Sequence, residues 1–242
     1  MSWKELFPKG NRYFETDRGI LYCGDCLVVM RKFPRESIDL VLTDPPYGVR
    51  KKEKWDERKY FLDMISEWIN SCYEVTKMVV LWFCADKMLP YILRGNEDRF
   101  HRLLVWDKPE GSQFAGGMHT NIWYSIEPIL VFAKNLPKTN RKKRYGYACF
   151  NYRTIPEKEC GHPTTKPLEL VKELIYFYSD ENDLVLDPFL GSGTTALACE
   201  KLNRRWIGIE ISEEYCEIAS KRLDAIKFMK ERPEKKKMGF FV

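Results

Sequence analysis

One short stretch of the chain has chemistry written into every residue: Thr43-Asp44-Pro45-Pro46-Tyr47-Gly48. Its two successive prolines fix φ and remove two backbone N–H donors, leaving carbonyls that can only accept, beside one carboxylate and one aromatic ring. Such a pocket suits a flat heterocycle bearing an exocyclic amino group. Asp44 and the Pro45 carbonyl can each accept one hydrogen of the NH2 while Tyr47 stacks on the ring. An aryl amine is a poor nucleophile because its lone pair is delocalised. Two acceptors held out of the ring plane favour the pyramidal nitrogen on which that pair is localised, which is preorganisation toward a transition state. The plain alternative is a proline-rich turn with an N-cap aspartate.

A second stretch, Asp187-Pro188-Phe189-Leu190-Gly191-Ser192-Gly193-Thr194-Thr195, follows the apolar run Leu184-Val185-Leu186 and leads into a helix from Ala196. A strand, a Gly-x-Gly turn and a helix form a nucleotide-binding opening, because glycines let the backbone approach a ligand. Glu210 ends the next strand, near the place where an acidic side chain grips ribose hydroxyls. Gly191 to Ala196 also satisfies G-x-G-x-x-A, which keeps an NAD-dependent enzyme open, and a glycine-rich turn without a ligand is the plain reading. Against NAD, no further strands follow from which to build a second mononucleotide half.

The elements that must carry these stretches are legible as apolar periods. Ile38 to Leu42 reads as a buried parallel strand, placing Asp44 at its carboxyl end, where open α/β sheets bind ligands. Further strands are expected at Ile20–Tyr22, Met78–Cys84, Leu103–Trp106, Ile126–Phe132, Leu184–Leu186 and Trp206–Ile209. Helices are expected at Leu27–Phe33, Tyr60–Val75, Asp86–Leu93, Lys166–Ser179, Ala196–Leu202 and from Ser212. Residues 1–18 carry no strong period, Arg50 to Lys59 reads as a mobile loop, and Lys108 to Ser125 as a long connection rich in glycine. Lys134 to Cys160 has few aliphatic residues and reads as a basic insertion outside the core.

With 242 residues, 44% of them hydrophobic, the chain suits one α/β domain spanning 1–242 with a small insertion. No apolar run reaches membrane-spanning length and the start lacks a signal-peptide h-region, so a cytoplasmic location is expected. Eight cysteines are scattered, several in apolar runs, and read as reduced thiols. Cys23-Gly24-Asp25-Cys26 matches C-x-x-C, yet no second close pair supplies the remaining ligands, so no metal is expected. The net charge of +5 is unevenly placed. Arg50, Lys51 and Lys52 follow the first stretch, and Lys138, Arg141, Lys142, Lys143 and Arg144 are interleaved with Tyr145, Tyr147, Phe150 and Tyr152. Basic residues among aromatics fit a nucleic-acid surface, and Lys108 joins that candidate set. The Lys235-Lys236-Lys237 run reads as a solvated tail.

Asp44-Pro45-Pro46-Tyr47 resembles the catalytic motif of the amino-group DNA methyltransferases, which transfer methyl from S-adenosylmethionine to adenine N6 or cytosine N4. Asp187 to Gly193 is similar to that family's cofactor motif, and His162-Pro163-Thr164-Thr165-Lys166-Pro167 to the motif preceding it. The order of catalytic motif, basic stretch and cofactor motif resembles the permuted β class. Permutation is harmless where strands joined in a different order still converge on one crevice. The resemblance covers roughly Tyr22 to Leu223 and departs only in the insertion, where residues 108–160 would hold the target-recognition region. It implies a Rossmann-like α/β domain with a seven-stranded, mostly parallel sheet, one strand antiparallel and helices on both faces.

The resemblance further implies S-adenosylmethionine as cofactor, double-stranded DNA as partner and direct in-line transfer to a flipped base held by Asp44, Pro45, Pro46 and Tyr47. Thr165 and Lys166 would lie near the cofactor's methionine end, Asp187, Phe189 and Gly191 would line its pocket with Gly193 and Thr194 in the same turn, Glu210 would bind ribose and Asp25 would approach adenine. His162 reads as a cap or core residue, and no cysteine is needed as nucleophile. Aspartate before Pro-Pro-Tyr resembles the adenine-N6 members more than the cytosine-N4 ones, so a site-specific adenine methyltransferase is expected. Cytosine N4, an RNA substrate, a catalytically silent nucleic-acid-binding protein, a homodimer and a cognate restriction endonuclease all stay open.

Overall fold

Along the central strands the side chains part into two buried apolar layers, as the period of two in extended backbone requires. Ile20 and Tyr22 join one layer and Leu21 the other; Val80 and Trp82 part in the same way from Val79, Leu81 and Phe83. A sheet apolar on both faces must be covered on both. In the computed structural model, which describes residues 2–46, 58–109, 125–136, 148–155 and 165–231, helices α1 (Cys26–Met30), α2 (Arg58–Val75) and α3 (Leu89–Leu93) supply the first cover. Helices α4 (Leu168–Tyr178), α5 (Thr194–Lys201) and α6 (Glu213–Glu231) supply the second.

The strands are β1 (Arg12–Glu15), β2 (Gly19–Cys23), β3 (Ile38–Thr43), β4 (Thr76–Phe83), β5 (Phe100–Asp107), β6 (Ile126–Ala133), β7 (Cys149–Asn151), β8 (Leu184–Asp187) and β9 (Arg205–Glu210). They form one nine-stranded sheet in the order β1-β2-β9-β8-β3-β4-β6-β5-β7. The seven strands expected from the sequence are all present, and among them only β6 runs antiparallel to its neighbours.

Two short edge strands were not expected. β1 pairs antiparallel with β2 and alternates half-buried with exposed residues, which hides it among polar sequence. β7 pairs parallel with β5 inside the stretch read as outside the core, and it buries only Phe150 of its three residues. The Trp106 indole N–H donating to the Tyr152 carbonyl at 2.7 Å fixes that edge further. Lys134, the first residue of the expected basic insertion, is likewise built into the fold. Its ammonium pairs with Glu36 at 3.2 Å and lies 4.9 Å from the Tyr73 ring, at the sheet edge opposite Asp44, because Glu36 precedes β3 and Asp44 follows it.

From β3 the chain moves to β4 on one side, and from β8 it moves to β9 on the other. The carboxyl ends of β3 and β8 therefore flank the point where the winding direction reverses, which is where doubly wound sheets open a crevice. Among the described residues no helix is long and apolar enough to cross a membrane.

Candidate active site

Four parallel strands and one antiparallel strand deliver a row of acidic side chains to one edge of the sheet. From one side to the other these are Asp25 after β2, Glu210 ending β9, Asp187 ending β8, Asp44 after β3 and Glu127 near the start of β6. Local chemistry fixes each in turn.

Asp25 is the N-cap of α1, its carboxylate accepting from the Leu27 and Val28 N–H groups at 2.8 and 3.1 Å. That cap satisfies two otherwise orphaned donors and holds the turn leaving β2. The adjacent backbone is tied across, Gly24 N–H donating to the Glu210 carbonyl at 2.9 Å. Glu210 is buried, and its two oxygens accept from the Gly191 and Ser212 N–H groups at 2.8 Å each. Burial pushes its carboxyl above the usual carboxylate range, opposed by those backbone donors. Each carboxylate oxygen keeps a lone pair for a further donor.

Asp187 joins the two halves of the site. One oxygen accepts from the Thr43 hydroxyl at 3.0 Å and the Phe189 N–H at 3.1 Å, and the other from the Thr195 hydroxyl at 2.6 Å. Thr43 directly precedes Asp44, so the glycine turn and the Asp-Pro-Pro turn hang on one carboxyl group. Complete burial pushes that carboxyl up to about 7 against the three hydrogen bonds. Phe189 packs edge-on against Trp68 of α2 with ring centroids 5.0 Å apart.

The turn that follows uses its glycines in a way the sequence did not reveal. Gly193 has φ +88° and caps α5, a backbone conformation that L side chains rarely adopt. A Cβ there would stand 3.0 Å from the Cβ of Ala219 in α6, so the missing side chain serves helix packing. Ser192 between the glycines receives the Arg222 guanidinium on both its carbonyl and its hydroxyl, at 2.5 and 2.8 Å. The same hydroxyl lies 3.1 Å from that of Thr165, which brings Thr165 to the glycine turn. The buried Thr194 hydroxyl has no hydrogen-bond partner among the described residues.

On the catalytic side Pro45 is buried and Asp44 half-buried. Lys166, expected beside a cofactor, reaches the Asp44 carboxylate: its ammonium donates to Asp44 Oδ2 at 2.5 Å and pairs with Glu127 Oε1 at 3.0 Å. Burial alone would lower its proton affinity, but Asp44 and Glu127 outweigh this and raise it, so Lys166 stays charged.

Lys108, assigned from sequence to the DNA surface, is corrected here. Its ammonium is buried, donates to Glu127 Oε2 at 2.6 Å and lies 4.5 Å from the Trp106 ring, which leaves no free charge to offer a phosphate. Glu127 and Arg222 were missed by sequence reasoning. For Glu127 a signal existed, since a lone carboxylate in the apolar run Ile126 to Phe132 needs a buried counter-charge. For Arg222, on an amphipathic helix, none did. Tyr47, Arg50, Lys51, Lys52, Lys138, Arg141, Lys142, Lys143 and Arg144 lie outside the described residues.

Known proteins resemble this chain over most of its length. A family model described as DNA methylase matches residues 38–221. The chain is 31% identical over 233 residues to the type II methyltransferase M.HpaI of Haemophilus parainfluenzae, covering 85% of this chain and 74% of that protein. It is 29% identical over 249 residues to the DNA adenine methyltransferase YhdJ of Escherichia coli K12, covering 87% and 84%. Among solved structures, the cytosine-N4-specific PvuII DNA methyltransferase superposes with a TM-score of 0.76 at 21% identity, over 88% of this chain and 89% of that one, a likeness of fold. The M1.HpyAVI–SAM complex superposes with a TM-score of 0.61 at 28% identity, over 84% and 98%.

Proposed function

The chain belongs to the N6/N4 DNA methylase family, and from that premise we propose that it is an S-adenosylmethionine-dependent methyltransferase acting on adenine N6 in double-stranded DNA. The observation that carries this is the Asp44 carboxylate, held at the carboxyl end of β3 and joined through Thr43 to the Asp187 glycine turn on the neighbouring strand. An acceptor for an amino group and a turn for a nucleotide-like ligand thus share one crevice.

The residues fit the cosubstrate. Asp25 and Glu210 end adjacent strands as acceptors for hydroxyl and amino donors, Gly191 with φ +55° and Gly193 open the turn, and the unpartnered Thr194 hydroxyl stands at the head of α5. When bound, S-adenosylmethionine supplies a sulfonium-activated methyl group. The chain's own part is to present the amino nitrogen. Asp44, paired with Lys166, accepts one amino hydrogen and the Pro45 carbonyl accepts the other, which localises the nitrogen lone pair.

Adenine is favoured by the aspartate at position 44 and by the likeness to an enzyme named for adenine. Likeness to type II methyltransferases supports a role beside a restriction endonuclease of the same site, read out as protection of methylated DNA from cleavage. The basic residues at 50–52 and 138–144 are proposed as phosphate contacts.

The test is methyl transfer from labelled S-adenosylmethionine to unmethylated genomic DNA, with the product digested to nucleosides and weighed. N6-methyladenine is expected; N4-methylcytosine would correct the base, and label entering RNA alone would overturn the substrate. Asp44→Ala is expected to lower kcat on the order of 100-fold or more while binding of DNA and cofactor persists, since it removes a preorganised transition-state contact.

A further inference from the structure

Behind Asp44 stands a chain of buried charge of which only Lys166 belongs to a sequence motif. Lys166 donates to Asp44 Oδ2 at 2.5 Å and pairs with Glu127 Oε1 at 3.0 Å, and the other Glu127 oxygen takes Lys108 at 2.6 Å. The side chains of Lys166, Glu127 and Lys108 are 10%, 8% and 10% exposed. Trp106 lies beneath both ammoniums, 4.5 Å from Lys108 and 5.9 Å from Lys166, and Phe83 lies 5.2 Å from Lys166. Aromatic faces hold a cation without neutralising it, so the balance of charge is left to the carboxylates.

Two carboxylates and two ammoniums sum to zero, but the sharing is uneven. Lys166 divides itself between Asp44 and Glu127, whereas Lys108 is held by Glu127. Were Glu127 neutral, the whole charge of Lys166 would fall on Asp44. That carboxylate would then be a weaker acceptor for an amino hydrogen and a weaker counter-charge for a nitrogen becoming positive as it takes up methyl. Lys108 also stands at the root of the connection between β5 and β6, closed by its N–H donating to the Ser125 carbonyl at 2.7 Å.

We propose that Glu127 is a positioning residue for methyl transfer: by sharing Lys166 with Asp44 and anchoring to Lys108, it sets the place and acceptor strength of the Asp44 carboxylate and ties them to the root of the β5–β6 connection. This rests on the methyltransferase reading above. Glu127 acts through Lys166, and the amino group meets Asp44.

The experiment compares the full chain with Glu127→Gln and with the charge-balanced double variant Lys108→Met, Glu127→Gln. It measures Tm, S-adenosylmethionine affinity and kcat on DNA, together with the carboxyl carbon resonance of Asp44 in the free protein. Glu127→Gln is expected to lower kcat by roughly 10- to 100-fold, the scale of a misplaced catalytic group, with cofactor affinity changed less than about twofold and the Asp44 resonance shifted. The double variant recovers Tm while kcat stays low and the resonance stays displaced.

If Glu127 serves only to balance Lys108, the double variant regains kcat with Tm and the proposal is overturned. It is equally overturned if Glu127→Gln keeps wild-type kcat and an unmoved Asp44 resonance. Should the single variant fail to fold, the double variant decides between the same outcomes. Absence of methyl transfer by the wild-type chain would overturn the functional reading instead, and the Asp44 resonance would still judge the role of Glu127.

Discussion

Asp187 is the residue whose protonation the fold alters most usefully. Its carboxyl ordinarily titrates near 3.8, and burial raises it to about 7 in the folded chain. The native state therefore binds a proton that the unfolded state releases, and this contribution to stability is complete below about pH 4 and lost as pH rises through about 7. Within that window the loss is about 1.4 kcal/mol per pH unit. Asp187→Asn removes the titration, so urea unfolding at pH 5 and pH 7 is expected to show the variant gaining relative to the wild type at the higher pH by that slope. Lys108 makes a prediction of a different kind. Lys108→Gln leaves Glu127 with one buried counter-charge fewer and is expected to cost about 3–5 kcal/mol, without changing the salt dependence of DNA binding that a phosphate contact would carry. Sequence reading found Asp44 and Asp187 because their neighbours are prolines and glycines with local meaning. It misplaced Lys108 because the partner that claims it, Glu127, faces it only through the β5–β6 pairing, and a basic residue beside a long connection looks alike in both roles.

At the scale of elements, the central strands were legible because burial on both faces demands uninterrupted apolar runs, and β5 because its second half is apolar. The short ones were not: β1 shows solvent one face, and β7 has room for a single buried side chain. Helix ends followed local chemistry, Gly95 with φ +77° standing just past α3 and Asp25 capping α1. What no local pattern disclosed is that α2 reaches the Asp187 glycine turn through Trp68. Trp68 is buried in the first layer and braces Phe189 edge-on. Trp68→Ala is expected to cost about 3–5 kcal/mol in chemical unfolding. It is also expected to weaken cofactor affinity severalfold at temperatures where the variant is still folded, since Phe189 loses its wall. Unchanged affinity in the folded variant would show that the turn holds Phe189 unaided.

Across the whole molecule, the order of strands in space departs from their order in the chain, and the departure divides the labour. β3, β4, β6 and β5 lie on the side of the acceptor carboxylate, while β8, β9 and β2 lie on the side of the glycine turn. Composition and motif order pointed to this division, but the sequence could not show that β2 crosses to the far side to lie against β9. That pairing runs register by register from Gly19 with Trp206 to Cys23 with Glu210. On the ribosome, where chains lengthen at about 5–20 residues per second, β2 emerges among the first strands and waits for close to two hundred further residues before its parallel partner exists. Until then Asp25 and Glu210 cannot flank one another. The growing chain therefore holds both motif-bearing strands, β3 and β8, before the pairing that sets Asp25 beside Glu210 can form.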